Sequence, residues 1–256
     1  MKLTRLTYLI LALLVTVGCA QKEKQEAEET VEEPASENTF DASLSDAKAV
    51  ELADKVIAAH GGEETWNETR YIGWNFLGSR DLIWDKHTGL VRIDYPKEES
   101  TYIVNVKQDT GSVSIKGRLI QDEDSLKNYI SRAKQIWVND AYWLVFPFKL
   151  KDPGVHLTYI GKDTTNNGEA AEVIQLTFNE VGFTPDNKYY AYINPENHLI
   201  SQWDYFSKAS DSVPAISGVW SDYDNYNGLM LSSGRGDRSL GNIAVSNKLD
   251  SAAFTF

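Results

Sequence analysis

Tyr71-Ile-Gly-Trp-Asn-Phe-Leu77, Asp81-Leu-Ile-Trp84, Leu90-Val-Arg-Ile-Asp-Tyr95 and Thr101-Tyr-Ile-Val-Asn-Val106 follow one another with only short polar breaks between them. Within each run apolar residues fall at alternate positions, the period of a strand with one buried face. The breaks contain Gly78-Ser79, His87-Thr88-Gly89 and the Lys97-Glu98-Glu99 cluster. They are too short for the crossover of about a dozen residues that parallel strands need, so the reading is an antiparallel meander.

Working outward, residues 113–120 extend the meander after Asp109-Thr110-Gly111, and residues 45–60 precede it with a different period. Val50, Leu52, Ala53, Val56, Ile57 and Ala59 recur at helical spacing, and Gly61-Gly62 ends the run with His60 as a capping residue. A second helix is expected over 122–138, where Leu126, Tyr129, Ile130, Ala133, Ile136 and Trp137 follow an Asp122-Glu123-Asp124 start suited to a helix N-terminus. Residues 140–148 are aromatic, and Pro147 and Pro153 predict an irregular crossing. Strands then resume at 155–160, 171–178 and 189–194, turn at Asn194-Pro195-Glu196-Asn197 into 199–206, and continue at 216–223, 229–232 and 243–246. The sum is a mainly β fold with α: a single curved antiparallel sheet of about eleven strands, an open half-barrel with two helices packed on its concave side.

Cys19 is the one cysteine, and it follows basic Lys2 and Arg5 and an apolar run over 6–17. That run is shorter than the roughly 20 residues of a membrane span and fits a lipoprotein signal peptide over 1–18, with Cys19 as the lipid attachment site. An ordinary secreted protein cut nearby, or an uncleaved anchor, also carries the domain across the inner membrane. Residues 19–44 read as a lipidated, disordered acidic linker, because Lys, Glu, Gln, Ala, Thr and Pro bury too little surface to offset ordering. A coil of about 25 residues reaches roughly 25 to 30 Å. The domain proper is 45–256. Formal charge is −12, and −14 once Lys2 and Arg5 are removed, which opposes binding to nucleic acid.

Seven tryptophans, thirteen tyrosines and nine phenylalanines give the chain its binding candidates, because many lie on one face of an expected strand. Trp74 and Phe76 share a face, as do Tyr189, Ala191 and Ile193, and Trp203 and Tyr205. Trp74, Phe76, Trp84, Trp137, Trp143, Trp203 and Trp220 are the expected lining of an apolar cavity. The competing reading of any one ring is packing in a filled core.

Tyr190-Ala-Tyr-Ile-Asn-Pro-Glu-Asn-His-Leu-Ile-Ser-Gln-Trp203, together with the helix–meander–helix order, resembles the outer-membrane lipoprotein carrier and receptor (Lol-type) fold. Gly228-Leu-Met-Leu231, Ile243-Ala-Val-Ser246 and Phe254 fall where such proteins have their returning and final strands. Trp143-Leu-Val-Phe-Pro-Phe-Lys-Leu-Lys-Asp-Pro-Gly-Val155 and Val181-Gly-Phe-Thr-Pro185 are similar to uncharacterised Gram-negative lipoproteins of that shape. The resemblance implies a half-barrel holding acyl chains over residues 45–256, in a protein anchored at the outer membrane and facing the periplasm or the exterior.

Signals for chemistry are weak by comparison. His60, His87, His156 and His198 lack metal-ligand spacing. Asp222-Tyr-Asp-Asn-Tyr-Asn-Gly228 has Tyr226 and a late glycine where a calcium loop needs other residues, so it reads as a hairpin turn. Ser232-Ser-Gly-Arg-Gly236 lacks the lysine of a phosphate loop and reads as a loop, and no Gly-x-Ser-x-Gly elbow occurs. The expectation is a non-enzymatic binder of a lipid or other apolar small molecule, with no cofactor and no metal. A module with a filled core that binds an envelope protein or glycan is the alternative, and a hydrolase using two of the many carboxylates is the third reading.

Overall fold

The computed structural model describes residues 39–179 and 184–256. Cys19, the signal segment over 1–18, most of the expected linker and Val181-Gly-Phe of the second motif lie outside the described residues. Asp41 caps a 3-10 turn over Ala42–Leu44, and Phe40 beside it packs against the domain.

The first helix, α1, spans Ala47–Ala59 and buries Ala49, Leu52, Ala53, Val56 and Ile57. It starts later than expected because Ser45 and Asp46 bond to a strand instead. Ser45 Oγ accepts from the Leu157 N–H, Asp46 Oδ2 accepts from the Tyr159 N–H, and the Asp46 N–H donates to the Leu157 carbonyl, each at 2.9 Å. His60 is the C-cap, its Nδ1–H donating to the Val56 carbonyl at 2.7 Å. A short α2, Gly62–Glu68, follows at once, where the glycine pair predicts only a stop.

The meander is present as β1 (Tyr71–Phe76), β2 (Arg80–Asp85), β3 (Leu90–Tyr95), β4 (Ser100–Asn105), β5 (Thr110–Ile115) and β6 (Arg118–Leu119). Helix α3 runs over Glu123–Val145, with Asp122 Oδ1 accepting from the Ser125 N–H as its cap. It continues a full two turns past 138. The apolar period persists through Ala141, Leu144 and Val145, all buried, and the helix yields only next to Pro147, at a 3-10 turn over Phe146–Lys149. The rest of the chain forms β7 (Val155–Thr164), β8 (Ala170–Phe178), β9 (Lys188–Ile193), β10 (Ile200–Phe206), β11 (Ile216–Val219), β12 (Ser221–Tyr226), β13 (Leu229–Arg235), β14 (Arg238–Ser239) and β15 (Gly241–Ser246).

The strands make three sheets rather than one sheet of about eleven. A seven-stranded sheet has the order β15-β1-β2-β3-β4-β5-β6, a five-stranded sheet β11-β10-β9-β8-β7, and a three-stranded sheet β12-β13-β14. Two breaks account for this. The long α3 crossing separates β6 from β7, and Ser45 and Asp46 occupy the outer edge of β7. The expected strand over 216–223 divides at buried Trp220, so that β11 pairs with β10 and β12 pairs with β13. Residues 232–235, read as a loop, belong to β13, and Gly234 is required there because a Cβ would stand 2.1 Å from Ser221 Oγ. Asn227-Gly228, both at positive φ, forms the hairpin turn expected in place of a calcium loop.

Two large packed clusters result, beside a small one of Ala171, Val173 and Tyr192. In the first, Ile130, Ala133, Ala141 and Leu144 of α3 meet Ile72, Trp74, Phe76, Trp84, Val91, Ile93 and Val104 of the seven-stranded sheet. In the second, α1 and Phe146 cover Val155, Leu157, Ile174, Leu176, Ala191, Ile193 and Trp203 of the five-stranded sheet. A bidentate ion pair fixes α3 in place: Arg80 Nε and Nη2 donate to Asp140 at 2.6 and 2.5 Å, Asp140 is fully buried, and the guanidinium lies 4.4 Å from the Phe76 ring. Breaking such a buried pair on one side costs about 3 to 5 kcal/mol.

Candidate functional site

The C-terminal half of α3 faces both sheets. Ala133, Ala141 and Leu144 pack against the seven-stranded sheet, Tyr142 and Trp143 pack toward the five-stranded one, and Trp137, which meets Trp84 of the first sheet, borders the gap between them. That gap is a half-open cleft of about 580 Å³, its apolar lining coming from Trp137, Val138, Ala141, Tyr142 and Trp143 of α3 and from Val155, Phe178, Tyr189, Trp203, Tyr205 and Ile216 of the strands and their ends. The volume lies within the range of small-molecule sites, roughly 300 to 1,000 Å³. Lys149, Asp152, Thr184 and Asn187 supply its polar edge, together with Gln135 and Asn139.

Strand pairing explains why rings gather there. Trp203 stands opposite Ala191, and Tyr205 opposite Tyr189, so the four share one face, while Gln202 and Asp204 point to the other. The small Ala191 leaves Tyr189 and Trp203 free to stack, with centroids 5.2 Å apart and planes at 20°. On its other neighbour Trp203 faces Gly218, where a Cβ would come within 2.8 Å of the indole nitrogen. Trp143 meets Trp203 edge-on at 5.0 Å, Tyr142 meets Tyr189 at 5.6 Å, and Phe178 meets Tyr189 at 87°. The floor is thus a set of rings already held by one another, which lowers the ordering cost of binding an apolar group. Burial holds the phenols of Tyr142 and Tyr189 well above their ordinary pKa, so both remain neutral hydroxyls.

The seven residues expected from the sequence separate into three positions. Trp137, Trp143 and Trp203 line the cleft. Phe76, Trp84 and Trp220 stand behind them, meeting Trp143 at 6.0 Å, Trp137 at 5.2 Å and Trp203 at 6.1 Å respectively. Trp74 is deeper, in the first packed cluster and 2 % exposed. Tyr142, Phe178, Lys149 and Asp152 were not among the candidates. Tyr189 and Tyr205 carried a signal, the shared strand face, that a choice centred on tryptophan passed over.

The end of α3 is held by an unusual group. Arg235 of β13 is buried, lies 3.8 Å from the Trp220 ring, and donates to Ser232 Oγ at 2.7 Å, to the Gly234 carbonyl and to the Trp143 carbonyl in the last turn of α3. A cation at a helix C-terminus meets unsatisfied carbonyls, which compensates part of the desolvation that pushes this guanidinium down to about 9. Arg235 and Arg80 together set the height at which Trp137, Tyr142 and Trp143 stand over the cleft.

Among the described lining residues the carboxylate is Asp152, paired with Lys149 at 2.9 Å, whereas a glycosidase requires two acids about 5 to 10 Å apart.

No family model matches the chain, and no curated protein matches it. Solved structures similar to it include a DUF1329 family protein from Desulfovibrio piger, at 12% identity and TM-score 0.44, covering 80% of this chain and 96% of that one. A putative outer membrane lipoprotein-sorting protein domain from Vibrio parahaemolyticus is similar at 7% identity and TM-score 0.43, covering 81% and 96%. MucB is similar at 12% identity and TM-score 0.27, covering 82% of this chain and 63% of that one.

Proposed function

We propose that the protein is a lipid-anchored component of the cell envelope, attached through Cys19 at the outer membrane, and that it binds a lipid or acyl chain non-covalently in the cleft between α3 and the five-stranded sheet. The observation that carries this reading is the preassembled aromatic floor beneath about 580 Å³ of accessible space. Each acyl methylene moved from water onto that floor contributes about 0.8 kcal/mol, so a modest chain length suffices for micromolar affinity. The seven-stranded sheet supports the alternative of an interaction module, because α3 fills its inner face. A Cys19→Ala form recovered from cells and examined by native mass spectrometry tests the choice. Co-purified lipid supports the carrier reading, and a bare protein that also fails to bind an added fluorescent fatty acid favours the module.

A further inference from the structure

Among the described residues, the charged groups on the polar edge of the cleft are Lys149 and Asp152. Lys149 Nζ lies 2.9 Å from Asp152 Oδ2, and the two would cancel if they stood alone. Two further lysines act on the same locality. The Lys86 ammonium lies 3.7 Å from the centre of the Trp66 ring and donates to the Trp66 and Thr69 carbonyls. The Lys107 ammonium donates to the Lys86 and His87 carbonyls at 3.1 and 3.0 Å. Neither has a carboxylate within 4.0 Å among the described residues. Burial chiefly, and then the like charges of Lys149 and Lys107, bring Lys86 down to about 8. Trp66 stacks on Phe148 at 4.4 Å, which places this basic group directly behind the residue that precedes Lys149. Lys86 and Lys107 do not line the cleft; they act on Lys149 from outside it, in a chain whose net charge is −12.

Tyr142 adds a donor. It lines the cleft, its hydroxyl makes no hydrogen bond among the described residues, and Asp152 lies near enough to act on it electrostatically.

We propose that the occupant of the cleft is a single-chain amphiphile with an anionic head, its tail on Trp137, Trp143, Tyr189 and Trp203 and its head at Lys149 and Tyr142. The proposal rests on the apolar-ligand reading above and narrows it to one class. The carboxylate or phosphate of the ligand takes the Lys149 ammonium in competition with Asp152, while Lys86 and Lys107 supply the field that favours a negative group.

Quenching of tryptophan fluorescence in the purified full chain, titrated below the micelle concentration with four twelve-carbon probes, tests it. The probes are dodecanoate, dodecyl phosphate, dodecanol and dodecyltrimethylammonium. The expected result is that at least one of the two anions binds about tenfold more tightly than the alcohol and the cation, the scale of one charge-assisted hydrogen bond. Which anion is preferred distinguishes a fatty-acid head from a phosphate head. Lys149→Gln should bring the anions to the affinity of dodecanol measured on the same variant, and Lys149→Arg should keep the preference. Equal binding of all four probes overturns this inference alone. Binding of none overturns the apolar-ligand reading as well.

Discussion

The two faces of α3 meet the same kind of residue and end differently. Toward the seven-stranded sheet, small and branched side chains such as Ala133, Ala141 and Leu144 alternate with Trp74, Phe76 and Trp84, and the space closes. Toward the five-stranded sheet, rings meet rings: Trp143 on Trp203, Tyr142 on Tyr189, Tyr189 on Tyr205. Flat rigid groups at 5 to 6 Å separations stabilise one another without filling the volume between the layers, and a cleft of about 580 Å³ remains. Aromatic content alone therefore does not mark a site.

The sharpest way to break this comparison is to truncate one side chain on each side. Trp74→Ala in the filled layer should cost about 3 to 5 kcal/mol, whereas Ile216→Ala on the open side, 40 % exposed, should cost under about 1 kcal/mol. Urea melts with unchanged slope decide it, and equal losses would mean that the cleft is packed as tightly as the core. Asp140→Asn should lose stability on a similar scale, about 3 to 5 kcal/mol, since it leaves the largely buried Arg80 cation without its anion. An Asp140→Asn protein as stable as the parent would show that the pair does not hold α3 in register.

A smaller effect is expected from pH. Burial pushes the His60 imidazole down from 6.5 to about 4, against a weaker opposite influence of the Val56 carbonyl. The unfolded chain therefore binds a proton between those values that the folded chain does not. His60 contributes nothing to the pH dependence above about 6.5, and stability falls as pH drops from there toward 4, by on the order of 3 kcal/mol at most. His60→Gln should flatten that part of the profile, measured as the urea midpoint against pH. The smallest expected effect is Tyr205→Phe, which keeps the ring on the cleft floor and should change stability by less than about 0.5 kcal/mol.

Much of the first sheet was legible, because alternation with short turns fixes both faces and neighbours. Strands β1 to β4 lie within a residue or two of where the sequence places them. The division into three sheets was not legible. Local alternation around Trp220 is the same whether the strand continues or changes partner; the Trp220 N–H still donates to the Ser201 carbonyl of β10, and from Ser221 onward the chain pairs with β13. The length of α3 was underestimated because aromatic residues after Asp140 look like an extended crossing, although Ala141, Leu144 and Val145 keep the helical period. At the cleft, Trp137, Trp143 and Trp203 were readable as aromatic candidates. The gap itself depends on Arg80 meeting Asp140 across sixty residues and on Arg235 reaching the Trp143 carbonyl, and neither pairing has a local signature.

The most direct measurement is titration of the full chain with a dansyl-labelled undecanoate, read by energy transfer from tryptophan, alongside an Ile216→Trp variant that fills the mouth of the cleft. One equivalent bound by the parent, and affinity weakened at least about tenfold in the variant at unchanged melting temperature, is the predicted result. Energy transfer absent from the parent, or identical in the two proteins, would contradict the claim that the space beside α3 holds an acyl chain.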